Sequence, residues 1–91
     1  MNQGIRIFVS GKVQGVSFRA ECQKEAQRLG LFGTVKNLTE GRVEVYAVGP
    51  IAQLKELETW CHQGSLHSSV SQVDTRPDQV QTDLTGFHIS Y

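Results

Sequence analysis

An arginine that follows a glycine-bracketed turn, and an asparagine that closes a strand, are the side chains in this sequence best suited to chemistry. The arginine ends the run Gly11-Lys12-Val13-Gln14-Gly15-Val16-Ser17-Phe18-Arg19, which links an apolar strand to an amphipathic segment. Glycines at 11 and 15 reach left-handed backbone angles at little cost, so the turn can curl and aim successive N–H groups inward. A helix beginning at Phe18 adds its unpaired first-turn N–H groups and the positive end of its dipole. Arg19 contributes a planar, permanently charged guanidinium that matches phosphate oxygens. A cation is poorly placed at a helix N-terminus unless an anion compensates both charges, and this misfit favours a phosphate site over an ordinary surface arginine. Asn37 stands just ahead of a hairpin turn, where an asparagine commonly hydrogen-bonds its own turn backbone. The residues alone favour that quieter role.

Other chemistries find little support. His62, His67 and His88 are scattered, and neither Cys22 nor Cys61 stands at a metal-ligand spacing, so no metal site and no cofactor are expected. Ser10, Ser17 and Thr39 lie near the turn, yet no histidine flanks them to act as the base of a serine nucleophile.

Ninety-one residues make one small domain, 1–91, near the size at which a single core suffices without disulfides. Nine basic and nine acidic side chains cancel, leaving no basic field to hold a nucleic-acid backbone or an anionic membrane. An anion site in such a chain must be local. The two cysteines fall on the apolar sides of two helical segments and read as buried thiols, which suits a reducing cytoplasm. Residues 1–4 lead straight into a strand, with no secretory signal pattern and no run near the roughly 20 apolar residues of a membrane span.

The elements that must position the turn follow from periodicity. Ile5, Ile7 and Val9 alternate with Arg6 and Phe8, which predicts a first strand with one covered face. Phe18, Cys22, Ala26 and Leu29 recur at helical spacing, predicting a helix over 18–29 with Ser17 as its N-cap and Gly30 as its stop. Residues 31–38 and 42–48 read as a hairpin of strands turning at Thr39-Glu40-Gly41. Pro50 opens a second helix whose inner face carries Ile51, Leu54, Leu57 and Cys61, with Trp60 alongside. Residues 70–76 alternate weakly as a fourth strand, residues 77–85 are rich in turn formers, and 86–91 alternate as a short closing strand. The predicted fold is α+β, a ferredoxin-like split βαβ sandwich (βαββαβ) with two helices on one face of an antiparallel sheet and the other face largely open. Phe8 and Tyr46 fall on that open face. The sequence around them lacks the glycine-aromatic run of an RNA-recognition motif, so surface-layer packing is the expected role.

Two segments taken together, Gly11-x-Val13-Gln14-Gly15-Val16-x-Phe18-Arg19 and Gly33-x-Val35-x-Asn37-x-x-x-Gly41-x-Val43-Glu44, resemble the signature of the acylphosphatase family in order and spacing. The resemblance implies a metal-independent hydrolase that cleaves the carboxyl-phosphate bond of acyl phosphates. It implies that the backbone N–H groups of Gly15, Val16, Ser17, Phe18 and Arg19, with the Arg19 side chain, bind the phosphoryl group. It further implies that Asn37 positions the attacking water, so that Arg19 and Asn37 are the catalytic pair. Thr34 is a departure, since many members carry an aromatic residue there. The expected partner is a small acyl phosphate met by a cytoplasmic monomer. The alternative is a non-catalytic module of the same fold that kept the phosphate cradle as a binding or regulatory site. A related domain opens larger carbamoyl-transfer maturation proteins, from which a chain closing at Tyr91 is expected to stand apart.

Overall fold

Alternation along the first strand buries Ile7 and Val9 completely and leaves Arg6 and Phe8 on the opposite side of the sheet. The computed structural model describes every residue from Met1 to Tyr91. Its elements are β1 (Gln3–Lys12), α1 (Phe18–Arg28), β2 (Phe32–Asn37), β3 (Val43–Gly49), α2 (Ile51–Gln63), β4 (Ser69–Asp78) and β5 (Phe87–Ile89). The strands form one sheet in the order β4-β1-β3-β2-β5. Both helices pack on one face and close a single core: Phe18, Cys22 and Ala26 of α1 and Leu54, Leu57 and Cys61 of α2 meet Ile7, Val9, Val35, Val43, Val45 and Ala47 of the sheet. Burial of a side chain the size of Phe18 contributes about 1.5–3 kcal/mol. Phe18 also packs on Trp60, ring centroids 5.1 Å apart, which ties the start of α1 to α2.

The ferredoxin-like α+β class is the one expected, with particular differences. The sheet is mixed, because β5 runs parallel to β2 while every other neighbouring pair is antiparallel. After β4, at one edge, the chain crosses the sheet and enters at the far edge alongside β2. That crossing covers part of the face expected to be open. Tyr46 is only 4% exposed, and its hydroxyl donates to the carbonyl of Gln79 and accepts from the N–H of Gln81. Phe8 is flanked by the guanidinium groups of Arg42 and Arg76, at 4.7 and 5.6 Å from its ring centroid.

Gly11 belongs to β1 and not to the turn after it. The pairing of β1 with β4 slips between Ser10 and Gly11, and at φ 119° a Cβ on this residue would collide with the Ser69 carbonyl oxygen. Its glycine serves a β-bulge. The turn proper is therefore residues 13–17. β4 also runs through Pro77, which is tolerated because β4 is an edge strand whose outer side makes no ladder bonds. Pro50 precedes α2 in an extended conformation, and Ile51 in the first turn is 44% exposed, so the inner face of α2 begins at Leu54. Cys22 and Cys61 are free and buried; the hydrogen bond to Cys61 and then burial push the Cys22 thiol well above its usual range, which suits packing and not nucleophilic chemistry.

Candidate active site

The turn between β1 and α1 holds its shape through two side-chain ties. Gln14, with one amide nitrogen, donates to the carbonyls of Leu38 at 2.8 Å and Arg42 at 3.0 Å, binding the turn to the hairpin that follows Asn37. Ser65, beyond α2, donates from its hydroxyl to the carbonyl of Val16 at 2.9 Å. Between these ties Gly15 takes φ 74° and Ser17 takes φ 62°, the only left-handed non-glycine residue in the protein. Ser17 occupies the N-cap position expected of it, although its side chain makes no capping bond. The backbone does the work there, its carbonyl accepting the N–H of Glu21 at 3.0 Å.

This geometry leaves a row of donors free. None of the backbone N–H groups of residues 15–20 meets an acceptor within the protein, since the turn contributes no ladder bonds and the first helical turn has no preceding carbonyls to use. Gly15, Ser17, Phe18, Arg19 and Ala20 line a cavity of about 140 Å³, closed by Val13, Ile89 and Asn37. Arg19 makes no ion pair and no side-chain hydrogen bond; its guanidinium lies 5.1 Å from the ring centroid of Tyr91. Asn37 ends β2 opposite Val43, and its side-chain oxygen is buried without a donor. A buried acceptor left in this state is costly unless something that enters the cavity satisfies it.

Arg19 and Asn37, remote in sequence, thus share one cavity. Val16 is the exception among the expected cradle residues. Its side chain packs against the core and its carbonyl turns to Ser65, so only its N–H remains available. Thr34, where an aromatic residue was looked for, sits in register between Tyr46 and His88. Ser65 escaped the sequence reading, as a lone serine in a polar loop carries no signal that its hydroxyl is committed to a carbonyl 49 residues away. A larger groove of about 350 Å³ lies between α1 and α2, but its Arg28 is already paired with Glu25 and its lining has one apolar residue, Trp60. The smaller cavity holds the convergent unpaired groups. No three His, Cys, Asp or Glu side chains gather anywhere to hold a metal ion, and no helix is long and apolar enough to cross a membrane.

Fold and cavity together define a class: a small α+β domain whose strand-to-helix turn presents unpaired backbone donors and an arginine to an anion. The chain belongs to the acylphosphatase family, whose model matches residues 5–89. An acylphosphatase of Marinobacter nauticus is 42% identical over 85 residues, which is 93% of this chain and 92% of that protein. An acylphosphatase from Coxiella burnetii superposes with a TM-score of 0.93 at 38% identity, over 98% of this chain and 93% of that one. The acylphosphatase from Bacillus subtilis gives the same TM-score at 37% identity, with complete coverage of both chains. The chain is accordingly an enzyme of the hydrolase class.

Proposed function

We propose that this protein hydrolyses the carboxyl-phosphate bond of acyl phosphates, binding the phosphoryl oxygens with Arg19 and the N–H groups of Gly15, Val16, Ser17, Phe18 and Arg19 while Asn37 orients the attacking water. One observation carries the reading. A guanidinium without a carboxylate, a run of free backbone donors and an unsatisfied amide oxygen face one cavity. In the reaction the water oxygen forms a bond to phosphorus as the bond from phosphorus to the acyl oxygen breaks, and the carboxylate leaves with the electron pair. The Asn37 oxygen accepts a hydrogen bond from the water and holds it in line, while the donors opposite stabilise charge spread over the phosphoryl oxygens. No His, Asp or Glu lines the cavity, so the water's proton passes to a phosphoryl oxygen of the substrate. An acyl phosphate is already activated by its leaving group, and positioning with charge neutralisation supplies what such a transfer needs.

The same reading makes the protein a metal-independent monomer of the cytoplasm, with which its buried free thiols agree. The test is hydrolysis of an aromatic acyl phosphate, followed by absorbance, in the presence of excess chelator. Turnover that persists, with competitive inhibition by inorganic phosphate, is expected. Phosphate binding at residues 15–19 without turnover would convert the site to a binding module, and a requirement for added Mg²⁺ or Zn²⁺ would overturn the mechanism.

A further inference from the structure

We infer that the hydroxyl of Ser65 is a positioning group for the cradle: it holds the Val16–Ser17 peptide in the orientation that turns the Ser17 N–H into the cavity. The inference rests on the phosphoryl-binding reading above and adds to it a residue outside both signature segments. Ser65 is the single polar residue counted among the buried ones, 6% exposed, and a buried hydroxyl is retained only where it is hydrogen-bonded. It donates to the Val16 carbonyl, and no backbone N–H competes for that oxygen. Its own position is secured in turn, since its carbonyl accepts both the N–H and the hydroxyl of Ser68 at 3.0 and 2.8 Å.

The consequence follows from peptide geometry. No peptide bond in the protein is cis, so the Ser17 N–H points opposite to the Val16 carbonyl, and a carbonyl drawn toward Ser65 leaves the N–H directed away from it. Ser17 lines the cavity whereas Val16 does not. The left-handed φ of Ser17 makes this orientation unfavourable in isolation. A flip of the Val16–Ser17 plane would carry φ of Ser17 to the ordinary negative region and relieve the strain. The same flip would present a carbonyl oxygen to the cavity in place of a donor, which repels an anion. The Ser65 hydrogen bond opposes that flip from outside the site.

The experiment titrates the ¹⁵N-labelled full chain with inorganic phosphate and measures hydrolysis of an aromatic acyl phosphate, for wild type, Ser65→Ala and Ser65→Cys. Ser65→Ala is expected to weaken phosphate binding about tenfold, to lower kcat/KM by a similar factor, and to shift the Ser17 amide resonance before any phosphate is added. Ser65→Cys keeps nearly the same volume with a feeble donor and is expected to follow Ser65→Ala; it also serves if the alanine variant fails to fold. Phosphate affinity within twofold of wild type in a folded variant overturns the inference, including where the melting temperature falls, because that is a purely structural role. A cysteine variant that binds as wild type while the alanine variant does not also overturns it, since bulk and not the hydroxyl would then hold the turn. If phosphate leaves residues 15–19 of the wild type unmoved, the cradle itself fails, and this inference with it.

Discussion

Two groups of arginines divide this molecule. On the outer face of the sheet, Arg6 bridges Asp78 at 2.6 Å and Glu44 at 3.2 Å while covering the Tyr46 ring, Arg42 forms paired bonds to Glu40 at 2.7 and 3.0 Å, and Arg76 meets Asp74 at 3.0 Å. At the other site stands Arg19, with no carboxylate partner at all. The helix-surface Arg28 follows the first pattern, paired with Glu25. A guanidinium beside a fixed carboxylate has its donors and charge committed within the fold, and bound anions must compete with that partner. One left beside a helix N-terminus keeps both for a ligand. The contrast extends to the backbone, where the outer-face strands are laddered and the donors of residues 15–20 are free.

The sharpest way to break this contrast is at Arg19. Arg19→Ala is expected to reduce kcat/KM by about 100-fold or more and to abolish most phosphate binding, with Arg19→Lys recovering little because an ammonium lacks the paired donors. Its urea midpoint should move little, because no partner within the fold is lost. Asn37→Ala is expected to lower kcat by about 100-fold while phosphate affinity stays within about twofold, since an oriented water matters in the transition state and little for the product anion. Equal losses in both would move Asn37 into the cradle.

Arg6→Ala should give the inverse of Arg19→Ala: a lowered urea midpoint, from two carboxylates left without a partner, and nearly unchanged kcat/KM. Loss of activity there would mean that the outer face communicates with the cavity. The smallest effect is in acid. Hydrogen bonding by Arg6, then the N–H of Gln79, holds the Asp78 carboxyl below its ordinary 3.8, as Arg42 and Arg28 lower Glu40 and Glu25. These carboxyls bind fewer protons in the folded state, so their contribution is present above the ordinary carboxylate range and fades as pH falls through the depressed values. Urea midpoints measured from pH 5 downward should therefore fall below about pH 4, and less steeply in Arg6→Ala.

Much of this was legible from local pattern. Helical spacing found Phe18, Cys22 and Ala26 as the buried face of α1, and the glycine at 15 with the arginine at 19 marked the turn, because these depend on near neighbours. The bulge at Gly11 was not legible, since its cause is the Ser69 backbone across the sheet. The parallel entry of β5 depends on where the chain crosses after β4, and a segment rich in turn formers does not specify a destination. Tyr46 looked open by alternation because nothing local announces that residues 79–81 will lie over it. Likewise Asn37 alone suggested a turn asparagine; its place in a cavity with Arg19 is a product of sheet order and of the Gln14 bonds to Leu38 and Arg42.

The walls of the cavity join residues 13–20 near the beginning of the chain to Asn37 and finally to Ile89 of β5. During synthesis the residues of the cradle appear early, yet the last wall does not exist until β5 has emerged and paired with β2. Contacts of such long sequence separation form late and slowly, because the chain must lose the entropy of a large loop before they stabilise it. Recovery of hydrolysis on refolding should accordingly report on β5 docking, whereas fluorescence of Trp60, packed on Phe18 between the helices, reports on the core alone.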